Sequence, residues 1–170
     1  MCLFYLAIAQ MQHALSHKGA TGVVKERMDI MSEIAKHTKT LQAMLSGAKN
    51  YDAAKVKTAA QAIGNHAKNS PPLYPKGSLQ HPTEVRENIW TDWEEFQKQF
   101  KYLQIYASAL AISADNSSNP RYRPGNISAA DKFSDGWPQP AFLQTLPPQA
   151  AFLYISETCR TCHKMFRRDK

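Results

Sequence analysis

Three residues near the C-terminus hold the densest chemistry in this chain. Cys159-Arg-Thr-Cys162-His163 is a C-x-x-C-H motif. On a helix, side chains at i and i+3 are neighbours. Two thiols so placed can add to the two vinyl groups along one edge of a porphyrin, and the next residue can turn its imidazole to the iron. The spacing is that of covalent haem c attachment, with Cys159 and Cys162 as thioethers and His163 as axial iron ligand. Three other chemistries use parts of the pattern. A thioredoxin-like pair belongs at a helix N-terminus after a strand, whereas this pair sits inside a helical pattern. A structural zinc site needs a fourth ligand and usually a second paired motif; His13, His17, His37, His66 and His81 are scattered. A disulfide between residues three apart cross-links almost nothing. The competing class is a cofactor-free helical module, or a zinc- or thiol-binding one, with no haem absorption.

Four helical segments can position this motif. Over 22–46, Val24, Met28, Met31, Ala35, Thr38, Leu41 or Gln42, and Leu45 recur at helical spacing, and Gly47 ends the run. Asp52 caps a second segment, with Val56, Ala59, Ala60, Ile63 and Ala67 as a narrow small-residue stripe. Residues 69–78, with three prolines and a glycine, read as a loop. Thr83 reads as the N-cap of a third helix, in which Ile89, Trp93, Phe96, Phe100, Leu103, Ala107 and Leu110 alternate four and three apart, a bundle seam. Residues 115–149 are rich in proline and glycine and read as a long, mostly irregular insertion. The fourth helix spans about 149–168, with Ala151 or Phe152, Ile155, Cys159, Cys162 and Phe166 on its inner face. The pattern predicts an all-α fold: an antiparallel four-helix bundle with a long Pro-rich loop before the last helix.

The 170 residues carry a formal charge of +7, with 43% apolar and 21% charged residues. That suits a single folded domain and excludes a disordered chain. Acidic and basic residues interleave, so the charge reads as a solvated surface and not a nucleic-acid face. No stretch approaches the ~18–20 apolar residues of a membrane span. No carboxylate pair, nucleophile triad or phosphate loop points to an enzyme. Residues 1–9 are apolar and end in Ala7-Ile-Ala9, an A-x-A cleavage pattern that would leave Gln10 first. The segment lacks a basic start and a long apolar core, so it reads as a partial signal peptide, with one haem domain over 10–170.

The chain resembles the cytochrome c′ family beyond its haem motif. The family's stretch after the first helix is similar to Ala48-Lys-Asn-Tyr51-Asp52-Ala53-Ala54-Lys55. Its third-helix opening resembles Ile89-Trp90-Thr91-Asp92. The resemblance covers about 22–113 and 149–168; the 115–149 connection is longer than the family's usual link and is expected to be a tolerated insertion.

The resemblance implies roles for further residues. Met31 matches the residue facing the distal side of the iron, where the family often has a bulky apolar side chain. Two readings stand. As a sixth ligand, Met31 gives a low-spin Met/His iron with a raised potential, suited to one-electron transfer. As a core methionine, it leaves a five-coordinate iron open to NO or CO. Arg27, one turn earlier, is expected to pair with a haem propionate. Arg167, one turn beyond His163, is expected to lie beside the proximal imidazole and tune the potential. Trp90, Trp93 and Phe96 are candidates for haem-edge contact, and His37 reads as a surface or helix-partner histidine. The expected protein is a periplasmic monohaem cytochrome. Lys164, Arg167, Arg168 and Lys170 suggest a redox partner with an acidic docking surface, and the family's pairing through its first two helices makes a homodimer an expectation too.

Overall fold

A computed structural model describes residues 19–168. The signal-like segment 1–9 and Lys170 lie outside them. The long helices are α1 (Gly22–Leu45), α2 (Ala53–Asn69), α3 (Trp93–Ser113) and α5 (Pro148–Phe166), with a short α4 (Pro140–Gln144) before the last. No strand forms among the described residues; two isolated bridges pair Val85 with Arg167 and Lys132 with Pro138. The bundle is antiparallel. Gly64 of α2 lies against Ala107 of α3, and along α3 and α5 Phe96 meets Phe166 while Tyr106 meets Tyr154.

Local chemistry explains the boundaries. After α1, Ser46 turns its N–H to the Gln42 carbonyl and Gly47 takes a φ of +80°, a conformation open to glycine. Asp52 caps α2 by accepting from the Lys55 N–H at 3.0 Å. The alanine stripe of α2 is buried, and Gly64 faces Ala107 and the Gln104 carbonyl of α3.

The third helix begins later than its sequence suggests. Thr83 is not its N-cap; Asp92 is, and Ile89 is buried in a 3₁₀ turn (Glu87–Ile89) ahead of the helix. The apolar period runs through this turn because Ile89 packs into the same core, but the turn closes 3₁₀ bonds, Ile89 N–H to the Arg86 carbonyl and Trp90 N–H to the Glu87 carbonyl, before the α-helix begins. Thr83 is drawn instead to Arg27.

Residues 115–149 are not a loose insertion. Trp137 and Phe133 stack on Tyr102 with centroids 5.3 and 5.9 Å apart, Tyr106 donates its hydroxyl to the Pro138 carbonyl at 3.1 Å, and Leu143 is fully buried. Asn116 donates to the carbonyls of Gln144 and Leu146. Gln149 accepts from the Asn119 N–H and donates to Ser118 and the Leu45 carbonyl. Pro140 and Pro148 open helices, a position where the missing N–H is harmless. Prolines that read as helix breakers thus start two of them.

Candidate cofactor site

Between α1 on one side and α3 and α5 on the other lies a cavity of about 810 Å³, within the range of ligand sites, roughly 300–1,000 Å³. Its α1 wall presents Met28, Met31, Ala35, Thr38 and Gln42 at helical spacing. Its opposite wall presents Cys159, Cys162 and His163 from α5, with Phe96, Phe100 and Leu103 from α3 and Tyr74 from the α2–α3 connection. Phe96 sits at the centre of the aromatic packing, 4.8 Å from Tyr74, 5.2 Å from Phe100 and 5.1 Å from Phe166, each edge to face. Trp90 and Trp93 do not line the cavity: Trp90 donates its indole N–H to the Tyr74 carbonyl, and Trp93 packs on Phe96 from outside. His37 pairs with His66 of α2, away from this site, with ring centroids 6.4 Å apart.

The register of α1 against α5 is anchored at both ends. At one end Gln149 donates to the Leu45 carbonyl at 3.1 Å. At the other, the adjacent residues Thr83 and Glu84 bind Arg27 and Arg167 respectively. Equal numbers of residues separate the anchors, 27 to 45 along α1 and 149 to 167 along α5 and its extended C-cap, Arg167. Met31 lies four residues beyond Arg27, and His163 four before Arg167. Met31 and His163 both line the cavity, from its α1 and α5 walls.

Burial pushes the Cys159 thiol up to about 11 and the Cys162 thiol up to about 12, the latter raised further by Cys159 and Glu95. A redox-active pair needs a depressed thiol, so this environment opposes a thioredoxin-like reading. Among the described residues, no three His, Cys, Asp or Glu side chains gather as a metal cluster, which leaves zinc short of its usual four ligands. His163 is exposed along one side. Partial desolvation, with the charge of Arg167 against the opposing pull of Glu84, holds its imidazole below the ordinary histidine range. The lowering favours the neutral imidazole, the form that ligates a metal.

Arg27 is only 3% exposed. It donates to Ser78 Oγ at 3.0 Å, the Ser78 carbonyl at 2.6 Å and Thr83 Oγ1 at 2.7 Å, and its guanidinium lies over the Tyr74 ring at 5.2 Å. Its Nε is buried without a partner. The sequence suggested Arg27 as a propionate residue but not that most of its donors are engaged by the loop. Arg167 is paired as well: its Nε and Nη2 reach Glu84 Oε2 at 2.7 and 2.6 Å. Glu84, Ser78 and Tyr74 went unnoticed in the sequence, and Thr83 was read only as a helix cap, because all four lie in an irregular connection with no periodic signal.

The residues fit a covalent haem. Two thiols and an imidazole share one helix face, apolar and aromatic walls suit a macrocycle, and the unpartnered Arg27 Nε–H suits a carboxylate. A helical bundle with C-x-x-C-H on its last long helix, turned into such a cavity, defines a bundle-type haem protein. A sequence model of cytochrome c′ matches residues 22–126, and the chain belongs to that family. The matched stretch ends before Cys159, so family and haem motif are separate observations. Cytochrome c-556 of Agrobacterium fabrum is 32% identical over 156 residues, covering 89% of this chain and 84% of the relative. Cytochrome c′ of Rhodopseudomonas palustris is 32% identical over 108 residues, 63% of this chain and 74% of the relative. A solved structure of cytochrome c′ from Rhodopseudomonas palustris superposes with a TM-score of 0.65 at 26% identity, covering 89% of this chain and 99% of that one. Members of the family carry one covalently bound haem c. No described helix is long and apolar enough to cross a membrane.

Proposed function

We propose that this chain is a one-electron carrier whose haem c is held by Cys159 and Cys162 and whose iron is ligated by His163 and Met31. The placement of Met31 and His163 on opposite walls of one cavity carries this reading. A Met/His-ligated haem supplies a low-spin, one-electron couple with a raised potential. Around it the chain positions and shields: Phe96, Phe100 and Phe166 exclude water from one wall, and Arg27 turns its free Nε–H to a propionate. The likeness to cytochrome c-556 over most of both chains supports the same reading. Covalent haem attachment belongs to an exported setting, so the A-x-A segment and the motif together support a periplasmic location. Lys164 and Arg168, exposed beside the haem helix, suit an acidic redox partner. Arg167 belongs less to that surface, because Glu84 neutralises it.

A second reading rests on the α1 wall beside Met31. Met28 and Ala35 bring thioether and methyl groups there, with Ser32 and Thr38 further along the same wall, an environment that admits small neutral ligands. Structures of the Alcaligenes xylosoxidans cytochrome c′ include nitric oxide complexes, at 20% identity to this chain. In that reading Met31 stays off the iron and the protein binds NO or CO. Optical spectra of the matured protein, oxidised and reduced, separate the two. Sharp split visible bands on reduction, lost in Met31→Leu, are expected for the carrier. Broad high-spin bands in the wild-type protein overturn Met31 ligation in favour of gas binding. No Soret band despite maturation overturns both.

A further inference from the structure

The connection between α2 and α3 crosses the rim of the cavity and grips both of its arginines. Ser78 and Thr83 hold Arg27 of α1. Two residues of the same strap hold the end of α5: the Arg86 N–H donates to the Phe166 carbonyl at 2.9 Å, and the Glu84 carbonyl accepts from the Arg168 N–H at 2.7 Å. Between these backbone bonds the Glu84 carboxylate takes both contacts from Arg167. The Arg167 N–H in turn donates to the His163 carbonyl at 3.0 Å, so the ion pair stands one helical turn from the imidazole. Glu84, His163 and Arg167 all line the cavity.

We infer that Glu84 is a positioning residue that sets the charge beside the proximal histidine: it fixes Arg167 in place and cancels its positive charge where an oxidised iron carries one too. The inference rests on His163 being the axial ligand. The pair is built and not incidental, because the strap's backbone brackets it on both sides. Other cations nearby are Arg86, whose guanidinium donates to the Lys164 carbonyl, Lys164 itself, and Arg168, whose N–H meets the Glu84 carbonyl. Arg167 reaches the Glu84 carboxylate through two nitrogens. Losing the Glu84 charge leaves one uncompensated cation near the iron, which favours the ferrous state. Losing the Arg167 charge leaves an anion and favours the ferric state. The two substitutions therefore move the potential in opposite directions, which a loosening of the fold would not do.

The test uses the haem-loaded protein. Covalent haem is first confirmed by mass and by the Soret band, and reduction potentials are then measured for wild type, Glu84→Gln, Arg167→Gln, the double variant and Glu84→Asp. Glu84→Gln is expected to shift the one-electron equilibrium roughly threefold towards ferrous, about 28 mV at 59 mV per tenfold. Arg167→Gln is expected to shift it by a similar factor the other way. The double variant and Glu84→Asp are expected to return close to wild type. Because both side chains are partly exposed, with 39% and 43% of their surfaces accessible, the single-variant shifts should shrink between low and high salt. Haem-loaded variants whose potentials do not move, or move in one common direction, overturn this inference and leave His163 ligation standing. Failure to attach haem at all overturns the proposed function and this inference with it.

Discussion

Substitution of Arg27 by methionine tests how the strap is held. Methionine keeps much of the length of the side chain but none of its donors. The change removes three hydrogen bonds from a guanidinium, to Ser78 Oγ, the Ser78 carbonyl and Thr83 Oγ1. Bonds to a charged group contribute roughly 1.5–3 kcal/mol each, so simple addition would give about 4.5–9 kcal/mol. Two effects reduce that sum. Arg27 is buried, and its desolvation, visible as a guanidinium held below its ordinary value despite the pull of Tyr74, costs several kcal/mol that the substitution releases. Ser78 and Thr83 belong to an irregular segment that can move out and rehydrate. A net loss of about 3 kcal/mol is expected. For a chain of this size that lowers the melting temperature by about 6–12 °C. Urea unfolding of the haem-loaded protein, followed by far-ultraviolet circular dichroism, measures the loss. Hydrogen exchange locates it: amides of 78–86 should lose protection while those of α2 and α3 keep it. A loss under about 0.5 kcal/mol with protection of 78–86 unchanged would show that Arg27 does not hold the strap, and would refute the reasoning.

Other consequences follow from the same geometry. Gly64→Ala in α2 should raise stability by about 0.8–1 kcal/mol, since its new methyl meets Ala107 Cβ at 3.5 Å and the Gln104 carbonyl at 3.7 Å, both ordinary contacts; a lowered urea midpoint would contradict this. Tyr102→Phe removes the hydroxyl that donates to Asp135 and should cost about 1 kcal/mol while the Soret band stays unchanged, since Tyr102 does not line the cavity. Burial pulls the Asp135 carboxyl up, but hydrogen bonds from Tyr102, the Trp137 N–H and Lys98 outweigh it and hold the group below the ordinary carboxylate range. A group with a depressed folded value adds stability above its unfolded value, near 4, and loses it as pH falls through the folded one. The acid limb of a stability–pH curve should therefore be shallower in Tyr102→Phe than in wild type, and matching limbs would remove Asp135 from the account.

Periodicity made most of the bundle legible. The seam from Phe96 to Leu110 and the alanine stripe of α2 are buried as their spacing requires, and Gly47 and Asp52 end and start helices for the local reasons their types suggest. What misled was chemistry without a period. Ile89 keeps the heptad while its backbone leaves the helix, because a 3₁₀ turn presents an apolar residue to the same core. Thr83 has the side chain of an N-cap, but a buried guanidinium claims it. In 115–149, prolines read as interruptions, yet Pro140 and Pro148 occupy first-turn positions, and the burial of Trp137 and Leu143 depends on α3 residues distant in sequence. At the site, Cys159, Cys162 and His163 are legible because their chemistry is local. Glu84 is not, because its partner lies at the other end of the chain.

The spacing of four residues does more at this site than any single contact. Arg27 and Met31 are one turn apart on α1, as His163 and Arg167 are on α5, and the helices run antiparallel. Four residues span about 6 Å of helix, so on each wall a rim arginine lies about one turn from an inward residue. The strap joins the rim ends through Thr83 and Glu84, and Gln149 joins the far ends at Leu45. With both ends tied, a one-residue deletion between Arg27 and Leu45 cannot be absorbed by sliding. It would rotate Met31 by about 100° off the cavity face or pull Arg27 from Ser78 and Thr83. Outward positions on the same helices, such as Lys36 and Arg160, hold only local ion pairs and can change freely. The register of α1 on α5, more than the identity of the residues around it, decides whether Met31 meets the iron.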